Sequence, residues 1–266
     1  GLGDVYKRQI QVGYEVFGAQ DSAQADADVF SAMWQALDGF PLRVQTGDMS
    51  VLMEAVAGLR TTEERKAALL RHIWRPQRFR FLLERYAGIS PQPKSRRQLL
   101  AIKDSLAHSE HNIGLRSAVE IEDRITHLHD DSLAAPISKT ELDLLMCITQ
   151  LRETYPNILT QLQDIAIDLP AISVAIVRLE KRLEEIEKRG IDTGELMFES
   201  SYGRTSMEYY DGFVFGFYDN TGKDFSLIAT GGRYDALTRR LGNGGELSAV
   251  GGVVRPDLLV KARGQL

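Results

Sequence analysis

Apolar residues in this chain switch between strand-like and helix-like spacing near both ends and keep helix-like spacing through the middle. In 26–37, Val29, Phe30, Met33, Trp34 and Leu37 recur on one stripe, which predicts an amphipathic helix. A short strand is expected over 41–46, then a helix over 47–57 with Leu52, Ala55 and Val56 inward. From 61 to 190 strand patterns nearly vanish. Residues 61–87 read as helix, broken at Trp74-Arg75-Pro76 because proline cannot continue the preceding turn. Gly88-Ile89-Ser90-Pro91-Gln92-Pro93 is a turn-rich linker. Helices are expected next over 94–107, 114–127 and 141–152. The last opens with a capping-box spacing at Thr140 and Asp143, and 130–139 is expected as a loop. The longest helix is expected over 171–189, begun by Pro170 and ended by Gly190. Its stripe is Ile172, Ile176, Leu179, Leu183 and Ile186. Strand pattern returns over 195–202.

Three stretches carry candidate chemistry. In 9–18, alternation puts Gln11, Gly13 and Glu15 on one strand face and Val12, Tyr14 and Val16 on the other. Gln11 and Glu15 then stand about 13 Å apart, and long side chains leaning inward over Gly13 bracket a space the size of an amino acid. Residues 204–215, read as strand, put Tyr209, Phe213, Phe215 and Phe217 on a core face. Glu208, Tyr210 and Gly212 share the opposite face, where a carboxylate, a phenol and a bare glycine form a small polar floor. Residues 225–229 are an apolar strand leading to a Gly231-Gly232 turn and a helix that opens Arg233-Tyr234-Asp235. Glycines there admit close backbone approach and set Tyr234 at the strand end.

Composition narrows the classes. A length of 266 residues fits one large domain or a core with an insertion. At 43% hydrophobic and 26% charged the chain is an ordinary globular protein. A net charge of −5 argues against a nucleic-acid binder, which needs a basic surface. The local exception is Arg65, Lys66, Arg71, Arg75, Arg78, Arg80 and Arg85. These are read as solvated arginines with packed stems, in preference to a site for an acidic partner or phosphate. The one cysteine, Cys147 within Leu144-Leu145-Met146-Cys147-Ile148, is read as a core thiol; with no second cysteine the chain suits a reducing cytoplasm. No stretch approaches the roughly 18–20 apolar residues of a membrane span. His108, His111, His127 and His129 cluster without a recognised ligand spacing, so neither metal nor cofactor is assigned.

The motifs themselves carry a resemblance. Gly231-Gly232-Arg233-Tyr234-Asp235-Ala236-Leu237 resembles the histidine-specific motif Gly-Gly-Arg-Tyr-Asp-Gly-Leu of histidyl-tRNA synthetase, and 204–215 resembles its Arg-Gly-Leu-Asp-Tyr-Tyr-Thr-Gly. Gln11-Val12-Gly13-Tyr14-Glu15-Val16-Phe17-Gly18, with Ala25-Asp26-Ala27-Asp28-Val29-Phe30 shortly after it, is similar to the segment just beyond the second class II synthetase motif. The resemblance runs from Gln11 to Asp257. It implies an α+β fold, with a class II aminoacyl-tRNA synthetase-like antiparallel sheet flanked by helices. Residues 9–60 and 191–266 would form the core and 61–190 a mainly helical insertion. Residues 1–8 fit nothing in the family and are expected to be a non-native leader on an N-terminally truncated chain.

The departures separate family members. Where the synthetase has its histidine-specific arginine this chain has Thr205, with Arg204 one position earlier. In Ala249-Val250-Gly251-Gly252-Val253-Val254-Arg255-Pro256-Asp257-Leu258-Leu259, Leu258 occupies the position of the third-motif arginine and Arg255 that of a glycine. Adenylation needs cations on the triphosphate. The combination is similar to the histidyl-tRNA synthetase-like regulatory subunit of ATP phosphoribosyltransferase, a non-catalytic partner of the short-form catalytic subunit in the first step of histidine biosynthesis. The resemblance implies free L-histidine as ligand, a homodimer within a hetero-oligomer, and feedback regulation. It implies ligand-binding roles for Gln11, Glu15, Tyr210, Tyr234, Glu208 and Arg204, with Gly212, Gly231 and Gly232 shaping the pocket. The competing expectation is a fragment of an active synthetase core.

Overall fold

The computed structural model describes residues 10–102, 116–204, 208–220, 225–245 and 247–263. The expected leader at 1–8, His108, His111 and Thr205 lie outside the described residues. In chain order the elements are β1 (Val12–Phe17), α1 (Ser22–Ala36), β2 (Leu42–Asp48), α2 (Met49–Ala57), α3 (Glu63–Arg71), α4 (Pro76–Tyr86), α5 (Lys94–Ala101), α6 (Ala118–Leu133), α7 (Lys139–Gln150), β3 (Arg152–Thr154) and α8 (Tyr155–Asp168). A 3₁₀ turn (Pro170–Ile172) leads into α9 (Ser173–Glu187). Then come β4 (Met197–Glu199), β5 (Phe213–Asp219), β6 (Leu227–Arg233), α10 (Asp235–Leu241), β7 (Ala249–Val254) and α11 (Pro256–Arg263).

The strands form one seven-stranded sheet in the order β1-β7-β6-β5-β2-β4-β3. Its pairs are antiparallel except β2–β4, which is parallel, so the sheet is mixed. The α1 stripe buries Val29, Phe30 and Met33 completely or nearly so. Phe30 is wedged among Phe213, Phe215 and Phe217 at ring separations of 5.8, 5.3 and 5.7 Å. Period two on β5 meets period 3.6 on α1 at that ring cluster. α9 packs on α1 and α2 through its expected stripe: Ile172, Ile176, Leu179, Leu183 and Ile186 are all buried.

Two compact units partition the chain, 59–143 on one side and the two flanking segments on the other. The helical unit is therefore shorter than the expected 61–190. Residues 144–190 belong with the sheet because β3 pairs with β4 and α8–α9 bury their apolar stripes there. Inside the helical unit, Arg65 is buried and donates through Nε to Asp131 (2.5 Å), while Arg96 holds the second Asp131 oxygen. Arg80 pairs with Glu84, and Arg78 and Arg85 lie against the Phe81 ring.

Several local expectations change. α6 runs on through Asp130 to Leu133, residues placed by sequence in a loop; its capping box is Ser117 with Glu120. α7 is capped by Ser138, whose hydroxyl and backbone N–H both engage Glu141, displacing the expected Thr140–Asp143 box. Cys147 is exposed, not a core thiol. Leu142, Leu145 and Ile148 take the inward stripe of α7, and Cys147 falls about 200° around the helix from Leu145.

Phe30→Ala removes a fully buried ring from the sheet–helix contact. We expect it to cost about 3–5 kcal/mol, read as a lower urea midpoint with an unchanged m-value. An unchanged midpoint would mean that the ring cluster does not hold α1 to the sheet.

Candidate functional site

The candidate site lies on the sheet face opposite Phe30. Its floor is a cross-strand glycine pair, Gly232 on β6 opposite Gly251 on β7. Glu15 on β1 is opposite Gly251, and its carboxylate occupies the space over that residue: a Cβ built on Gly251 would stand 1.5 Å from Oε2. The Tyr234 hydroxyl donates to the same Oε2 at 2.5 Å. Tyr210, buried, packs over Gly232. Tyr209, Tyr210 and Tyr234 form a cluster with ring separations of 4.5, 6.0 and 6.4 Å, and Phe17 adds an edge to Tyr234 at 6.3 Å. Three phenols, a phenyl edge and a carboxylate over a bare backbone suit a small ligand with a cationic or N–H-rich group.

Burial pushes the Tyr210 hydroxyl up, helped by Tyr209 and the Glu15 charge. Burial and then the Glu15 contact do the same to Tyr234. Both phenols are therefore neutral donors through the physiological range.

A buried ion network stands behind the site. Asp26 on α1 accepts from Arg233 Nε (2.9 Å) and Nη2 (2.6 Å) through one oxygen, and from Arg182 on α9 through the other (3.4 Å). Arg182 also pairs with Asp48, which caps α2 through the Ser50 N–H (2.8 Å). Arg233 reaches Ser22 O and both Asp235 oxygens as well. Burial raises the Asp26 pKa against the pull of the two arginines. Asp211 receives the N–H groups of Asp235 and Ala236 at the start of α10. These groups line a cleft of about 210 Å³ with Gly212 and Phe213.

The structure brings Glu15, Tyr210 and Tyr234 close to one another. Gln11 is exposed just ahead of β1. Glu208 is exposed in a turn, because the strand starts at Phe213 and not at 204. For the same reason Tyr209 leaves the core face and joins the tyrosine cluster. Arg204 is buried in the turn after β4, where burial lowers its guanidinium to about pKa 10. Gly231-Gly232 is not a turn: β6 runs through both. Gly231 lies on the core face against Phe215, and Gly232 alone reaches the floor. Gly212 lies beneath the Arg233 stem. Sequence reading missed Gly251, Asp26 and Arg182. The signal for Asp26 was a carboxylate three and four residues before Val29 and Phe30, on the inward stripe.

This sheet, backed by α1 and α9, is the class II aminoacyl-tRNA synthetase fold. An ATP phosphoribosyltransferase regulatory subunit/histidyl-tRNA synthetase from Bacillus halodurans superposes with a TM-score of 0.59 at 21% identity, covering 95% of this chain and 52% of that one. Histidyl-tRNA synthetase from Nostoc sp. PCC 7120 gives 0.58 at 14% identity, covering 96% and 51%. A family model described as histidyl-tRNA synthetase matches residues 125–259, half of the sequence, and the chain belongs to that family. Among curated relatives, the ATP phosphoribosyltransferase regulatory subunits of Brucella canis and Brucella suis are each 27% identical over 99% of this chain and 77% of their own length. The chain thus spans about half the length of the solved relatives and three quarters of the curated ones.

Tyr155, buried and bonded to Thr46, is pushed up to about 12, and Tyr202, Tyr210 and Tyr234 are also raised. A phenol whose folded pKa exceeds its unfolded value of 10 stabilises the fold fully below pH 10 and loses that contribution as pH rises through the folded value. We therefore expect the urea midpoint to fall as pH rises above 10, with these phenolates absorbing only as the chain unfolds. All 9 tyrosines titrating together near pH 10 in a folded chain would contradict this.

Proposed function

We propose that this chain is a non-catalytic regulatory subunit of ATP phosphoribosyltransferase. It would bind free L-histidine in the former amino-acid site and assemble with the short-form catalytic subunit in the first step of histidine biosynthesis. The observation that carries the reading is the Glu15–Tyr234 pair over Gly251, with Tyr210 beside it. These are the motif residues to which the family resemblance gives histidine-binding roles. The relatives named regulatory subunits support the same reading.

The mechanism is linkage. A ligand that binds one conformation of an assembly better than another shifts the assembly toward it by the ratio of the two affinities. Glu15 would accept from an imidazole or ammonium N–H, and Tyr210 would donate to, or accept from, the same ligand. Tyr234 would keep the Glu15 carboxylate oriented when the site is empty.

The second reading, histidine activation with ATP, is favoured by the name of the matching family. Against it, Leu258 stands at the start of α11 where that chemistry calls for an arginine, and the Arg255 guanidinium donates to the Leu227 carbonyl (3.1 Å).

Calorimetric titration of L-histidine should give saturable binding. Tyr210→Phe and Glu15→Gln should each weaken it about tenfold, as expected for the loss of about 1–2 kcal/mol of hydrogen bonding. Histidine-dependent pyrophosphate exchange should be absent; its presence would favour the synthetase reading. A folded chain that binds no histidine would remove the ligand from the proposal.

A further inference from the structure

We propose that Arg233 is the positioning residue of the site, with Asp26 fixing it from behind. This rests on the reading of the tyrosine cluster as the ligand site. Two separate segments supply that cluster: the turn carrying Tyr209 and Tyr210, and the β6–α10 junction carrying Tyr234. Arg233 meets both.

Its aliphatic stem lies on Gly212, where a Cβ would stand 3.0 Å from its Cδ and 3.2 Å from its Cβ. Its backbone carbonyl accepts the Asp211 N–H at 3.0 Å. Its guanidinium is held by Asp26 Oδ1 at 2.9 and 2.6 Å, by Ser22 O at 2.9 Å and by Asp235 at 3.1 and 3.2 Å. Asp235 in turn accepts the Ala249 N–H of β7 at 2.7 Å, two residues from the glycine under Glu15. Asp211 ties the tyrosine turn to the first N–H groups of α10 at 3.0 and 2.5 Å. One arginine therefore sets the spacing between Tyr210 and Tyr234 from beneath the cluster. A guanidinium does this where an ammonium cannot, because its planar fork engages several acceptors in fixed directions.

Arg182 provides a matched comparison. It belongs to the same buried network, through Asp26 and Asp48, and lies over the Phe213 ring, but its ion pairs join α9 to α1 and to the start of α2 rather than to the tyrosine turn. Arg233→Lys and Arg182→Lys each keep the charge and lose the fork. Both should lower the melting temperature. Only Arg233→Lys should alter the tyrosine band of the near-ultraviolet circular dichroism spectrum and weaken L-histidine binding. The expected loss is about 10–100-fold, the size seen when outer partners of metal-binding side chains are removed. Gly212→Ala is the second probe: it keeps every ion contact, pushes on the Arg233 stem, and should change the tyrosine band in the same way.

Equal effects of the two lysine variants on affinity and tyrosine signal would overturn the proposal, leaving Arg233 a structural residue only. So would a Gly212→Ala variant indistinguishable from wild type. If the wild-type chain binds no histidine, the ligand reading fails. The positioning role then stands or falls on whether the tyrosine band responds to Arg233→Lys and Gly212→Ala but not to Arg182→Lys.

Discussion

Asp26 puts a carboxylate into the middle of an apolar helix stripe, and the rest of the fold is arranged so that two guanidiniums meet it there. Removing either partner leaves a buried charge uncompensated, a penalty of about 3–5 kcal/mol. The pairing does more than offset that penalty. Arg233 comes from β6 and Arg182 from α9, elements far apart in sequence, so one carboxylate fixes the sheet, α1 and α9 in a single arrangement. An all-apolar contact would tolerate sliding of α9 along α1. Arg182 reaches Asp26 through Nη1 and Asp48 through Nη2, and two directed contacts from one planar guanidinium define one register.

Much of this was legible where burial leaves a period. The stripes of α1 and α9 were readable because each packs one face against the sheet layer or a neighbouring helix, and their expected inward residues are inward. The break at Pro76 was readable because proline acts locally. What failed depended on neighbours. Gly231 and Gly232 looked like a turn because nothing in the local sequence says that Phe215 and Tyr210 need the space above and below a strand. Tyr209 looked like a core residue because strand alternation was extended back through a segment that is a turn. Cys147 sits in an apolar run, but helix geometry, not composition, decides which members of such a run face inward.

The candidate site divides the same way. Glu15, Tyr210 and Tyr234 were identified from motifs, and the sheet register brings them together. Gly251 went unassigned because its role exists only across a strand pair, opposite Glu15 and beside Gly232. Glu208 and Gln11 match motif positions but are solvent-facing in this chain. The site that results is dominated by neutral phenols and one carboxylate. That chemistry suits holding a small ligand with a cationic or N–H-rich group.

The strand that carries Glu15 is an edge. Among the described residues β1 is hydrogen-bonded only to β7 within the sheet, and Val12, Tyr14 and Phe17 are 59%, 45% and 55% exposed. The acceptor of the site thus rides on a strand with half the ladder of its neighbours, while Tyr234 closes the end of an interior strand. Whatever bridges Glu15 and Tyr234 also tacks the outer strand to the sheet. A ligand held by both groups would therefore have its affinity linked to the order of the edge strand, each favouring the other.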